Sequence, residues 1–197
     1  LFENLDRHGV RPEEVHALHL CEKPGDSPYH LPPLQIVVGS HVLRLVGTIA
    51  DVTPQGLLVR GKWEWKTLLQ IWPLYLVYRC VLREGLPLLF SGRVEPLQID
   101  LPDPEKTLAS YLEYYFLCHT EPSPLMPNWG SALLQKSKEE FAKEVRKEIG
   151  HYGEDPYLCY LRNRGALEEL IEGHERWSSL LRNVFASVPE GGKREKL

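Results

Sequence analysis

The sequence predicts an α/β chain: a central mixed sheet built on antiparallel hairpins, with flanking helices. Three observations predict it. Period-2 alternation with β-branched residues runs from Val42 to Val52 and resumes at Leu57. Between them, Thr53-Pro54-Gln55-Gly56 reads as a turn, with Pro54 presetting its own φ and Gly56 free to turn left-handed. Leu68 to Leu82 then form a nearly unbroken apolar run, and later stretches repeat apolar residues at helical spacing.

Taken in order, the first thirty residues carry the least signal. Arg11-Pro12-Glu13-Glu14 starts as a helix would, and Pro24-Gly25-Asp26-Ser27-Pro28 breaks it. His16, His19 and Cys21 have the composition of a metal site but no second pair of ligands nearby, so they read as surface or packing residues. Strands are expected at 34–38, 41–52 and 57–63, the first two joined by Gly39-Ser40. A helix over 64–83 is apolar nearly all round and therefore covered on most sides, with a kink at Pro73.

A second hairpin is expected from 87–90 and 94–101. Asp103-Pro104 opens a helix reaching about residue 119, the acid as cap and the proline at the first helical position. Residues 120–128 are a Pro-rich surface excursion. A mixed-charge helix follows over 131–149, including the pair Glu139–Lys143. A last helix aligns Leu167, Leu170, Ile171, His174, Trp177, Leu181, Val184 and Phe185 on one face, which makes His174 a packed core histidine. The organisation expected is an N-terminal segment 1–33 packing on a domain 34–188, with a disordered tail 189–197.

Composition narrows the function. With 43% hydrophobic and 25% charged residues, the 197-residue chain suits one globular domain. Its net charge of −4 argues against a whole-surface nucleic-acid binder but leaves room for a local basic groove. It opens on Leu1 and holds a single Met, which reads as a segment of a longer polypeptide. Four scattered cysteines without C-x-x-C spacing suit a reducing cytoplasm. The apolar run at 68–82 is too short for a bilayer.

Gly47-Thr48-Ile49-Ala50-Asp51 closes the first strand of the central hairpin. Strand, turn, strand and helix with this G-x-I-x-D segment resemble the core of PD-(D/E)XK nucleases. In that family a G-x-(I/V)-D acid and a second acid, followed two residues later by a lysine, hold Mg²⁺ and activate water. The resemblance puts Ala50 at the first acid, Arg60 (or Val59) at the second, and Lys62 at the lysine. It therefore implies degenerate counterparts, with no catalytic residue, no metal and no cofactor. Asp51 faces away from Ala50 unless a bulge shifts the register.

Lys62, Trp63 and Lys66 are the candidate DNA contacts. A tryptophan beside lysines can stack on an unpaired base, worth ~1–3 kcal/mol. The alternative for Trp63 and Trp65, packing beneath the next helix, is the commoner fate of large aromatics.

The wider order of hairpin, apolar helix, second hairpin, helix at 104, Trp129-Gly130 and Gly153-Glu154-Asp155-Pro156-Tyr157-Leu158 resembles the RecC C-terminal domain family. RecC is the gamma chain of bacterial exodeoxyribonuclease V. The resemblance spans about 34–188. It implies a nuclease-like domain that serves as a non-catalytic scaffold and DNA guide in the RecBCD helicase–nuclease, in double-strand-break processing and recombinational repair. RecB, RecD and double- and single-stranded DNA would be the partners, in the cytoplasm and without a membrane. Two readings compete: an active Mg²⁺-dependent nuclease using Asp51 with an acid from elsewhere, and a generic protein-interaction module.

Overall fold

The structure is a computed structural model. It describes residues 2–61, 63–83, 85–90, 93, 95–121, 133–134, 136–151, 165–185 and 187; the side chains of 2–4, 65, 148–151 and 166 are outside the description. Two compact units divide the chain, one formed around residues 1–111 and one around residues 112–186. The described residues form a five-stranded mixed sheet, a two-stranded sheet and six helices, as the α/β prediction requires.

In the first unit, helix α1 (Phe2–Arg7) and a 3-10 turn (Pro12–Glu14) precede strands β1 (His16–Leu20) and β2 (His30–Leu31). Then come β3 (Leu34–Val38), β4 (His41–Leu45), β5 (Gly47–Thr53), β6 (Gly56–Val59), helix α2 (Trp65–Leu82) and β7 (Leu88–Phe90). The main sheet runs β2-β1-β5-β6-β7. Its β1–β5 and β5–β6 pairs are antiparallel; β1–β2 and β6–β7 are parallel. A parallel pair needs a long crossover, and α2 supplies it between β6 and β7. Both strands are buried along their whole length, as strands covered on both faces must be. Leu5, Val10 and Val15 pack on Leu58 and Leu89 of these two strands.

Several expectations for the first unit change, and the strand expected over 57–63 is the shorter β6. The strand expected over 41–52 is two strands serving two sheets. Among the described residues β4 pairs with β3 only, Val46 lies between β4 and β5, and Gly47 takes a φ of +148° that a side chain would disfavour, redirecting the chain into the main sheet. The expected hairpin 87–101 reduces, among the described residues, to one antiparallel bridge, Leu88 with Leu97. The strand 88–90 takes its ladder from β6, where two apolar runs can bury each other. Finally, β1 and β2 arise from the N-terminal stretch that shows no clear strand pattern.

α2 matches its expected span closely. Leu68, Trp72, Tyr75, Leu76, Tyr78 and Cys80 are buried along it. After it, α3 (Pro104–Leu117) begins as expected: the Asp103 carboxylate accepts from the backbone N–H of Lys106 at 2.9 Å.

The second unit holds α4 (Lys138–His151), α5 (Ala166–Glu172) and α6 (His174–Phe185). The last expected helix is thus two, divided at Gly173, whose N–H bonds back to Glu169. Its apolar face is buried as expected through Leu170, Ile171, Trp177, Leu181, Val184 and Phe185. His174 is buried against Phe141, with ring centroids 5.4 Å apart. The Trp129-Gly130 and 153–158 motifs and the tail lie outside the described residues.

The tightest joint in the first unit is the β5–β6 turn. The Thr53 hydroxyl, itself buried, donates to the Gly56 carbonyl at 2.9 Å and accepts from the N–H groups of Gln55 and Gly56. Gly56 has φ +152°, and a Cβ there would stand 2.4 Å from the Pro87 carbonyl oxygen. Gly56→Ala should therefore destabilise the fold by about 3 kcal/mol, measured by urea unfolding; a loss under about 0.5 kcal/mol contradicts this packing.

Candidate functional site

The site grows out of a defect in β5. Along β1, two steps from His16 to Leu18 are matched by three steps from Val52 to Ile49 on β5, so β5 carries one extra residue. Ile49 and Val52, three apart, are both buried, and Ala50 is exposed. The surplus is absorbed at Asp51, whose φ of +60° puts a non-glycine residue in left-handed space. Aspartate tolerates that region better than most residues. The bulge is the register shift that separates Asp51 from the simple alternation of the strand.

Arg60, one residue beyond β6, meets the re-aimed carboxylate. Its Nε donates to Oδ2 and its Nη2 to Oδ1, each at 3.0 Å. This fork-to-fork arrangement is the strong form of an arginine–carboxylate pair. The Asp51 carboxylate raises the Arg60 pKa, by hydrogen bonding first and by charge second. The side chain of Asp51 is 20% exposed and that of Arg60 69%, so the acid is sheltered and the arginine covers it. Both oxygens of the one carboxylate on this hairpin are thus already bonded to a cation. Val59, the other position considered for a second acid, is buried in the core.

A second feature stands at the same end of the sheet. Strands β6 and β7 run parallel with Val59 opposite Phe90, so Arg60 and Arg93 both follow that end. Trp63 is half-buried, packing edge-on against Phe90 with centroids 5.4 Å apart. The guanidinium of Arg93 lies over the Trp63 ring, 4.7 Å from its centroid. His8 Nε2 contacts the Phe90 carbonyl at 3.0 Å. Lys66 is exposed on the first turn of α2, and Lys62 lies outside the described residues. Arg93 had no sequence signal, because its partner is remote in the chain and no spacing rule joins them.

The histidine–cysteine cluster does not converge. His16 stacks on Tyr29 with centroids 4.4 Å apart, whereas His19 lies edge-on to His30 and bonds through Nδ1 to the Thr48 hydroxyl at 3.0 Å. Among the described residues no three His, Cys, Asp or Glu side chains are grouped to hold a metal ion. Nor, among them, is any helix long and apolar enough to cross a membrane.

Comparison with protein families decides the identity. The family model of the RecC C-terminal domain matches residues 14–138, well over half of the chain. The chain belongs to the RecC C-terminal domain family. Membership of that family carries a role in the RecBCD complex, and so in DNA repair. The match takes in β1, both hairpins, α2, β7 and α3. It begins before the 34–188 span that the motifs suggest and ends at the first residue of α4. No curated protein and no solved structure matches the chain significantly.

Charge reversal at the pair gives a direct test of the geometry in this RecC-family chain. Arg60→Glu places a second carboxylate beside Asp51 and should create Mn²⁺ binding visible by electron paramagnetic resonance, lost again on adding Asp51→Asn. An Arg60→Glu chain that takes up no more Mn²⁺ than the native chain contradicts the placement.

Proposed function

We propose that this domain acts in RecBCD as a non-catalytic scaffold and DNA guide: a nuclease-like hairpin whose metal position is closed by its own arginine. The observation that carries the reading is the two-bond contact of Arg60 with Asp51. A PD-(D/E)XK reaction needs carboxylate oxygens free to hold Mg²⁺, which polarises the phosphate and generates the nucleophile. Here the guanidinium occupies the place where the ion would be drawn. Ala50 supplies no replacement, being a methyl group on the exposed side of the strand. On this reading RecB and RecD are the protein partners, the setting is double-strand-break processing in the cytoplasm, and the sheet architecture persists as a support.

The Trp63–Arg93 stack, with Lys62 and Lys66 close to Trp63 in sequence, supports the DNA-guiding half of the proposal. An aromatic ring backed by cations can stack on an unpaired base without reading its identity. Phe90 packs edge-on against Trp63 on the side of the core.

Incubating the chain with linear DNA and Mg²⁺ or Mn²⁺ tests the first half. No cleavage is expected; cleavage abolished by Asp51→Ala overturns the scaffold reading. For the second half, Trp63→Ala should weaken binding to single-stranded oligonucleotide about tenfold, the equivalent of one lost stacking contact. Unchanged affinity in a variant that keeps the native circular dichroism removes Trp63 from the DNA path. Capture by neither RecB nor RecD leaves the generic interaction module in place of this proposal.

A further inference from the structure

Arg79 is a cation placed inside the first unit with no carboxylate on it among the described residues. It is 8% exposed. Its Nη1 donates to the Tyr75 hydroxyl at 2.8 Å and to the Ile99 carbonyl at 3.2 Å, and Nη2 reaches the Leu101 carbonyl at 3.5 Å. Nε, although buried, has no hydrogen-bond partner among the described residues. Among the described residues no acid comes within ion-pairing distance of it. Three neutral oxygens satisfy donors but do not balance a charge, and a buried charge without a counter-ion is costly.

The charge has an outlet. A cavity of about 260 Å³ opens beside Arg79 and is also lined by Cys80, Arg83, Asp103, Pro104 and Glu105. Arg83 caps α2 one turn after Arg79 and holds a left-handed φ of +48°, a conformation usually left to glycine at this place in a helix. Arg83 thus adds a second positive charge to the cavity one turn along the helix from Arg79. The Cys80 thiol, pushed up to about 12 mainly by burial and next by Glu105 and Asp103, stays neutral and leaves the charge balance to the arginines and acids. One Asp103 oxygen is already taken by the Lys106 N–H.

We propose that this cavity takes the phosphodiester group of a single-stranded nucleic acid, gripped by Arg83 at the mouth and attracted by the charge of Arg79 behind it. Arginine suits a phosphate because its planar fork matches two oxygens at once. The two acids offset the two arginines, so the lining as a whole is close to neutral. Such a site admits the single charge of a phosphodiester more readily than the greater charge of free phosphate. The choice of ligand rests on the nucleic-acid reading above, but the residues are separate from Trp63, so the two can fail independently.

The test uses the full chain with arginine Nε–H groups observed by NMR, titrated with oligothymidylate and, separately, with inorganic phosphate. Oligothymidylate should shift the Arg79 and Arg83 signals. Arg83→Gly suits the left-handed backbone and so preserves the fold; it should weaken oligothymidylate binding about three- to tenfold. It should also lower the slope of log K against log salt by about 0.7, as the loss of one phosphate contact on a single strand does. Unchanged affinity and slope in Arg83→Gly overturn the inference, as does a response to inorganic phosphate without one to oligothymidylate. If Trp63→Ala weakens binding and Arg83→Gly does not, this cavity is excluded while the Trp63 reading stands. If only Arg83→Gly does, the cavity stands and the Trp63 reading falls.

Discussion

The site depends on one ion pair, Asp51 with Arg60, and on the surplus residue in β5 that makes the pair possible. A regular strand would alternate Ala50 and Asp51 between faces and give the arginine nothing to bind at this spot. The bulge costs left-handed backbone at Asp51, on the order of 1 kcal/mol for a residue with a side chain. The buried Thr53 hydroxyl, with its three contacts in the adjoining turn, fixes β5 against β6 and so over-determines that backbone. Strain of this kind gathers where a side chain has been re-aimed for a purpose. Here the purpose is a carboxylate turned towards a cation supplied by the chain.

The same contact converts an acid into a neutral unit as seen from outside. A divalent ion needs several oxygens at short range and would approach a carboxylate whose lone pairs already point at a guanidinium. It would also meet a fixed positive charge a few ångströms away, a repulsion that is strong in the lowered dielectric near a protein surface. What remains at this end of β6 and β7 is Arg93 over Trp63, with Lys66 exposed on the first turn of α2. Topology explains their assembly. Parallel strands β6 and β7 end together, so the residues that follow each are brought side by side although α2 separates them in sequence.

Much of this was legible from residue order. The apolar length of 64–83 and the Asp103-Pro104 start fixed α2 and α3 closely, because both signals are local. The β5 bulge breaks the alternation read over 42–52: Ile49 and Val52, three apart, are both buried where a regular strand would put them on opposite faces. The break at Gly47 was hidden because residues on both sides keep the same alternation, and only the sheet they join differs. Leu88–Phe90 carried a real hint in its lack of alternation, the mark of a strand covered on both faces, but not the identity of its partner. β1 was illegible for a different reason: five residues with two histidines offer too few apolar positions to establish a period. Long-range pairings such as Arg93 with Trp63 leave no periodic mark at all.

The most direct measurement of the central claim follows the Arg60 Nε–H resonance of the native chain while Mg²⁺ is added to millimolar concentration. A guanidinium that already holds both Asp51 oxygens keeps its resonance unchanged, and the account predicts that result. A saturable shift of that resonance, showing Arg60 released and the carboxylate taken over by the metal, would contradict it.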